Sequence, residues 1–200
     1  VRQRLAARPP RAVNLPGLTL RESAVLVPLR LHGGEPHLLF TLRPTYLRAH
    51  GGQISFPGGG RDASDATPLH AALREAHEEL GIPPASVQVL GQLDEVPTLT
   101  EFRIAPFVGA VPADLPLAPS PQEVAEVFEV PLAHFLAPGV HRTERREAAG
   151  RSWDVDFFTW QRHTIWGATA RIVRQLLLRL EDGPLPPAPA DGGGAPRGPP

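Results

Sequence analysis

Apolar and polar positions alternate along most of this chain and switch to helical spacing in two places. Residues 23–31 (SAVLVPLRL) are branched and partly alternating, which predicts a strand. Gly33-Gly34-Glu35 predicts a hairpin connection, with residues 37–43 as the partner strand. Pro28 inside the first run predicts an edge position or a bulge. Residues 53–56 predict a short strand leading into glycines. Residues 67–80 predict a helix, with Leu69, Ala72, Leu73, Ala76 and Leu80 as its apolar stripe. Thr67 suits the N-cap, Pro68 the first turn and Gly81 the residue past the end. Residues 87–96 and 104–111 read as strands, joined by a loop at 97–102. Residues 112–121 are proline-rich and expected to be exposed. Residues 122–132 favour a strand, because β-branched content and Pro131 outweigh the helical spacing of Val124, Val127 and Val130. A helical turn at 132–136, a hairpin of 140–148 with 152–160 about Ala149-Gly150, and a closing helix at 165–180 complete the pattern. That last helix has a stripe of Ile172, Val173, Leu176, Leu177 and Leu180, with Arg171, Arg174 and Arg179 off it.

The grouping predicts one mixed α/β layered domain over residues 21–181. A leader, residues 1–20, is expected to form a short helical turn and pack on the domain. Residues 182–200 are mostly proline, glycine and alanine and predict a flexible tail.

Composition narrows the function. A net charge of -1 gives no electrostatic case for nucleic acid or an anionic membrane. The absence of cysteine excludes disulfides, zinc–thiolate sites and cysteine nucleophiles. No apolar run is long enough to span a bilayer and the N-terminus has no signal-peptide core, so a cytoplasmic location is the expectation. A small-molecule substrate is the expected partner.

The helix at 67–80 carries the chemistry. Glu75, Glu78 and Glu79 stand at i, i+3 and i+4 and share a face. Like charges at this spacing cost a few tenths of a kcal/mol in an isolated helix. Arg74 offsets Glu78, whereas Glu75 and Glu79 have no basic neighbour at helical spacing. A hard divalent cation, Mg2+ or Mn2+, removes the repulsion and prefers oxygen ligands. Just upstream, Phe56-Pro57-Gly58-Gly59-Gly60 lets backbone approach a ligand closely. The loop is not a P-loop, because no Gly-Lys-Ser/Thr follows, and its glycines lack dinucleotide-binding spacing. His70 and His77 do not form a zinc-binding pair. Asp62 and Asp65 are expected to brace the connector. Glu95 and Glu101 are isolated candidates for a metal or base carboxylate.

Residues 74–82 (REAHEELGI) resemble the second half of the Nudix box. In the first half, Asp65 stands where the general box has glutamate, and eight residues rather than seven separate it from Arg74. This variant, with the upstream run Leu39-Phe40-Thr41-Leu42-Arg43, Arg48, Gly52 and Phe56-Pro57-Gly58-Gly59, is similar to the coenzyme A pyrophosphatase branch. Phe40 and Pro44 depart from its pattern. The resemblance implies a Nudix-type α/β/α sandwich with a mixed β-sheet. It implies metal-dependent hydrolysis of the pyrophosphate bond of coenzyme A or an acyl derivative. Glu75, Glu78 and Glu79 would hold Mg2+ or Mn2+. Glu79 or Glu123 would serve as base, with Glu126 behind Glu123. Gly58 and Gly59 would face substrate with Arg43, Arg48 and His50. Two rivals stand beside it: another Nudix substrate such as ADP-ribose or a nucleoside triphosphate, and a sensor that binds a nucleotide derivative without turnover.

Overall fold

The computed structural model describes residues 1–14, 19–46, 51–98, 100–148 and 151–181. Arg48 and His50 lie outside the described residues, as does the segment 182–200. In chain order the elements are α1 (Arg2–Ala6), β1 (Arg21–His32), β2 (Glu35–Leu42), β3 (Ile54–Ser55), β4 (Gly58–Gly60), α2 (Pro68–Leu80), β5 (Gln88–Gln92), β6 (Val96–Pro97), β7 (Phe102–Ala110), β8 (Glu126–Pro131), β9 (His141–Ala148), β10 (Arg151–Trp160), β11 (His163–Trp166) and α3 (Gly167–Glu181). Single 3-10 turns occur at Pro84–Ser86 and Leu132–Leu136.

Strand β1 is central. It runs parallel to β7, Arg21 opposite Phe102 through Leu29 opposite Ala110. On its other side it is antiparallel to β4 at residues 23–25 and to β2 at residues 29–32. Strands β3 and β8 pair with β2, while β5 and β6 pair with β7. The sheet is therefore mixed. Pro28 marks neither of the expected features, edge or bulge, since its register against β7 is continuous. It stands where β1 changes partner, two residues after Leu26 donates to the Pro57 carbonyl, and a proline there forfeits no ladder bond.

Alternation along β1 builds both faces. Ala24 and Leu26 face α2, packing with Ala71, Ala72, Ala76, Leu80, Ala105 and Phe107. Val25, Val27 and Leu29 point the other way, toward Ile172, Val173 and Leu176 of α3 and Phe158 of β10. The result is an α/β/α sandwich, with the small antiparallel sheet β11-β10-β9 beside α3. Helix α2 has the predicted ends. The Thr67 hydroxyl accepts from the His70 N–H, and Gly81 adopts a left-handed φ of 69°.

Three expectations are corrected. Residues 163–166 form β11, antiparallel to β10, so the last helix begins at Gly167. Glycines 58–60 are a strand rather than a loop. The 112–121 segment is only partly exposed, because Leu115 and Leu117 pack on the α2 core.

The described N-terminal residues pack on the domain. Leu5 is buried against Gly91, where an added Cβ would sit 2.7 Å from the Leu5 Cβ. Arg8 pairs with Asp94 at 2.8 Å. Arg179, placed off the core stripe by its sequence pattern, is buried and bonds both the Arg8 carbonyl (2.6 Å) and Asp94 (2.8 Å). Leu5→Ala should therefore destabilise the whole domain by about 2–3 kcal/mol in a chemical denaturation curve. An unchanged midpoint would show that α1 adds nothing to the core.

Candidate active site

The small residues between α2 and the sheet determine how close the helix comes. Ala24, Ala72, Ala76 and Ala105 let α2 approach until its carboxylates meet the β4 backbone. Gly59 makes the contact: a Cβ there would lie 2.4 Å from Glu75 Oε1. Gly58 is as constrained from below, since its Cβ would fall 2.4 Å from the Ala24 carbonyl. The Gly58 N–H donates to Glu79 Oε2 at 3.3 Å.

Glu79 is not on an outer polar face. It is only 2% exposed, on the same buried side as Ala72 and Ala76. Burial pushes its carboxyl up to about 8, against a counteracting pull from Arg43, whose guanidinium lies 3.5 Å from Oε1. Glu75 and Glu123 push the same way as burial. The Glu75 carboxyl is also raised, again mainly by burial.

Glu123 reaches this pair from the far side. Oxygens of Glu75, Glu79 and Glu123 all lie within 4.8 Å of one another. The loop that delivers Glu123 is fastened to the end of α2. Ala118 N donates to the Leu80 carbonyl and Ser120 N to the Glu79 carbonyl, each at 2.8 Å. Those two carbonyls have no partner within the helix itself, so the loop satisfies them. Glu123 sits in a turn just before β8 rather than in the strand expected from residue 122.

Arg74 organises the opposite flank. It grips both Asp65 oxygens, at 3.2 and 3.0 Å, and donates to the Gly60 carbonyl at 3.1 Å. One of its nitrogens also bridges Glu75 (3.0 Å) and Glu78 (2.9 Å). Hydrogen bonding from Arg74 holds the Asp65 carboxyl below its ordinary range. Asp65 thus braces the arginine as well as the connector. Glu78 is half exposed and tied to Arg74, outside the close cluster.

Other candidates lie elsewhere. Glu95 accepts from the Val13 N–H and faces Arg103 at 3.5 Å, helping to dock the leader. Glu101 is exposed at a β7 turn. Glu126 pairs with Arg162 and His163. Asp62 is largely exposed, 3.8 Å from Arg74, and His70 and His77 are exposed on α2. An open groove of about 630 Å3 adjoins Gly60, lined by Arg21, Glu22, Arg61, Asp62 and Phe102. Arg61 and Arg103 both pair with Glu22 there, so the groove is a different place from the carboxylate cluster.

The donor set suits a hard divalent cation: three carboxylates, no nitrogen or sulfur, two of them with proton affinity raised by burial. A NUDIX domain model matches residues 20–150. The chain belongs to the Nudix family. A relative from Cronobacter sakazakii, the uncharacterized Nudix hydrolase NudL, is 44% identical over 173 residues, covering 84% of this chain and 86% of the relative. The NudL of Escherichia coli K12 is 42% identical over 168 residues, covering 84% and 87%. A MutT/nudix family protein from Enterococcus faecalis shares the fold, with a TM-score of 0.55 at 16% identity over 85% of this chain and 66% of its own. The protein is a Nudix hydrolase with the α/β/α fold of that family, and Nudix hydrolases generally use divalent metal ions. Among the described residues no helix is long and apolar enough to cross a membrane.

The buried charge has a measurable consequence without metal. Glu79 holds a proton more tightly folded, at about 8, than its ordinary 4.5. Its contribution to stability is therefore full below about 4.5 and is lost as pH rises through about 8. Glu79→Gln carries no charge at any pH. In chelator-treated protein it should raise the thermal midpoint relative to wild type at pH 9 more than at pH 5. A pH-independent difference between the two proteins would contradict the buried-charge account.

Proposed function

We propose that this Nudix hydrolase cleaves the pyrophosphate bond of coenzyme A or its acyl derivatives, giving 3',5'-ADP and 4'-phosphopantetheine or its acyl form. The observation that carries the reaction class is the convergence of Glu75, Glu79 and Glu123 beneath the Gly58–Gly60 backbone. In this reading Glu75 and Glu79 hold Mg2+ or Mn2+ with Glu123, and Glu78 stands at the rim facing substrate. When bound, the ion neutralises diphosphate oxygens and acidifies water. Water adds to one phosphorus, the bridging P–O bond breaks, and the water's proton passes to Glu79 or Glu123. Arg74, itself braced by Asp65, holds Glu75 in place. Arg43 lies beside Glu79, and in this reading its planar fork meets a substrate phosphate.

The substrate proposal rests on the upstream pattern: Arg43, Arg48, His50 and Gly52 ahead of Phe56-Pro57-Gly58-Gly59. Coenzyme A carries a pyrophosphate and a 3'-phosphate, and arginines suit both. The test is turnover of coenzyme A, acetyl-coenzyme A, ADP-ribose and nucleoside triphosphates with Mg2+ or Mn2+, products resolved by chromatography. We expect kcat/KM for coenzyme A to exceed that for ADP-ribose by at least about tenfold. Preference for ADP-ribose would overturn the substrate and keep the reaction class. Tight binding without turnover of any compound would make the protein a sensor.

A further inference from the structure

The turn that presents Glu123 is held from outside as well as from within. From within, Ser120 N bonds the Glu79 carbonyl, and the amides of Glu123 and Val124 fold back on the Ser120 carbonyl. From outside comes Tyr46. Its hydroxyl lies 3.1 Å from the Pro121 carbonyl and 3.3 Å from that of Gln122, the two residues preceding Glu123. The ring is 70% exposed, so burial contributes little to keeping it there.

Tyr46 belongs to the connection between β2 and β3. That connection is closed at its base by Arg43 N to the Gln53 carbonyl and Gly52 N to the Arg43 carbonyl, each at 3.0 Å. Arg43, at the base, faces Glu79. The same hairpin therefore touches the carboxylate cluster twice, once through a guanidinium at Glu79 and once through a phenol on the Glu123 turn.

We propose that Tyr46 is a positioning residue: its hydroxyl fixes the turn at residues 121–123 so that the Glu123 carboxylate is set against Glu75 and Glu79. Without it, the carbonyls of Pro121 and Gln122 turn to water, and Glu123 gains freedom to leave the cluster. The role rests on the reading above that Glu123 contributes to holding a divalent cation.

Tyr46→Phe tests it, because the change deletes one oxygen from an exposed side chain. The readout is Mn2+ affinity without substrate, followed by electron paramagnetic resonance of free Mn2+. Affinity should fall about three- to tenfold, the scale of one lost hydrogen bond, with the metal-free protein still folded and its thermal midpoint lowered by no more than the scale of that one bond. In turnover, kcat should fall by a similar factor at saturating metal while KM holds. Because Tyr46 acts through Glu123, the double variant Tyr46→Phe/Glu123→Gln should bind Mn2+ as Glu123→Gln alone does. Wild-type affinity in Tyr46→Phe, or losses that simply multiply in the double variant, would overturn the role. Wild-type protein that binds no Mn2+ would sink the metal reading beneath it.

Discussion

Two carboxylates buried side by side, with a third closing on them from the surface, are the constraint around which this protein is built. Glu79 is almost wholly buried, Glu75 is mostly so, and Glu123 closes on both. Burial and mutual repulsion act in the same direction, and the bonds from Arg43 and the Gly58 amide do not cancel them, as the raised proton affinity of Glu79 shows. A globular core has no reason to retain such a group on packing grounds. Truncating Glu79 would remove the conflict, since its neighbours Ala72, Ala76 and Leu80 already seal that side of the helix. A cation of opposite charge would relieve the conflict, and Nudix hydrolases generally use divalent metal ions.

The rest of the architecture serves to hold that arrangement still. Alanines at the α2–sheet contact bring the helix close, and glycines in β4 leave room for the carboxylates. Asp65 and Arg74 lock one flank by paired hydrogen bonds. The loop at 112–125 locks the other by bonding the open carbonyls at the end of α2. Arg30 supports that loop further back. It is buried, pairs with Glu129 at 2.8 Å, and donates to the carbonyls of Pro112, Ala113 and Leu115. The carboxylates thus sit on rigid elements whose own polar groups are satisfied, which is what a site for a small hard ion requires.

Much of this was legible in the sequence. The helix, its caps, the hairpins and the Glu75–Glu79 set follow from short-range spacing, and residues that act locally can be read locally. What escaped depends on long-range pairing. Pro28 looked like an edge or bulge residue because sequence does not reveal that β1 changes partner beside it. Residues 163–166 carry too short a run to separate a strand from the helix that follows. The 112–121 loop looked exposed because its proline content hides two leucines that pack and two amides that cap α2. Glu123 was a candidate through family resemblance, but Tyr46 had no signal at all: its role exists only because the hairpin and the turn, about 75 residues apart, meet in space. Glu78 shows the converse. Spacing put it level with its neighbours, and the structure ties it to Arg74 at the rim.

Anomalous diffraction at the manganese edge from crystals soaked in Mn2+ tests the carboxylate cluster most directly. A peak is expected between Glu75, Glu79 and Glu123, with their oxygens at about 2.1–2.2 Å, close to the distance for a small hard cation on carboxylate oxygen. A cluster that stays free of metal at saturating Mn2+, with Glu79 still buried against the Gly58 amide, would contradict the metal reading.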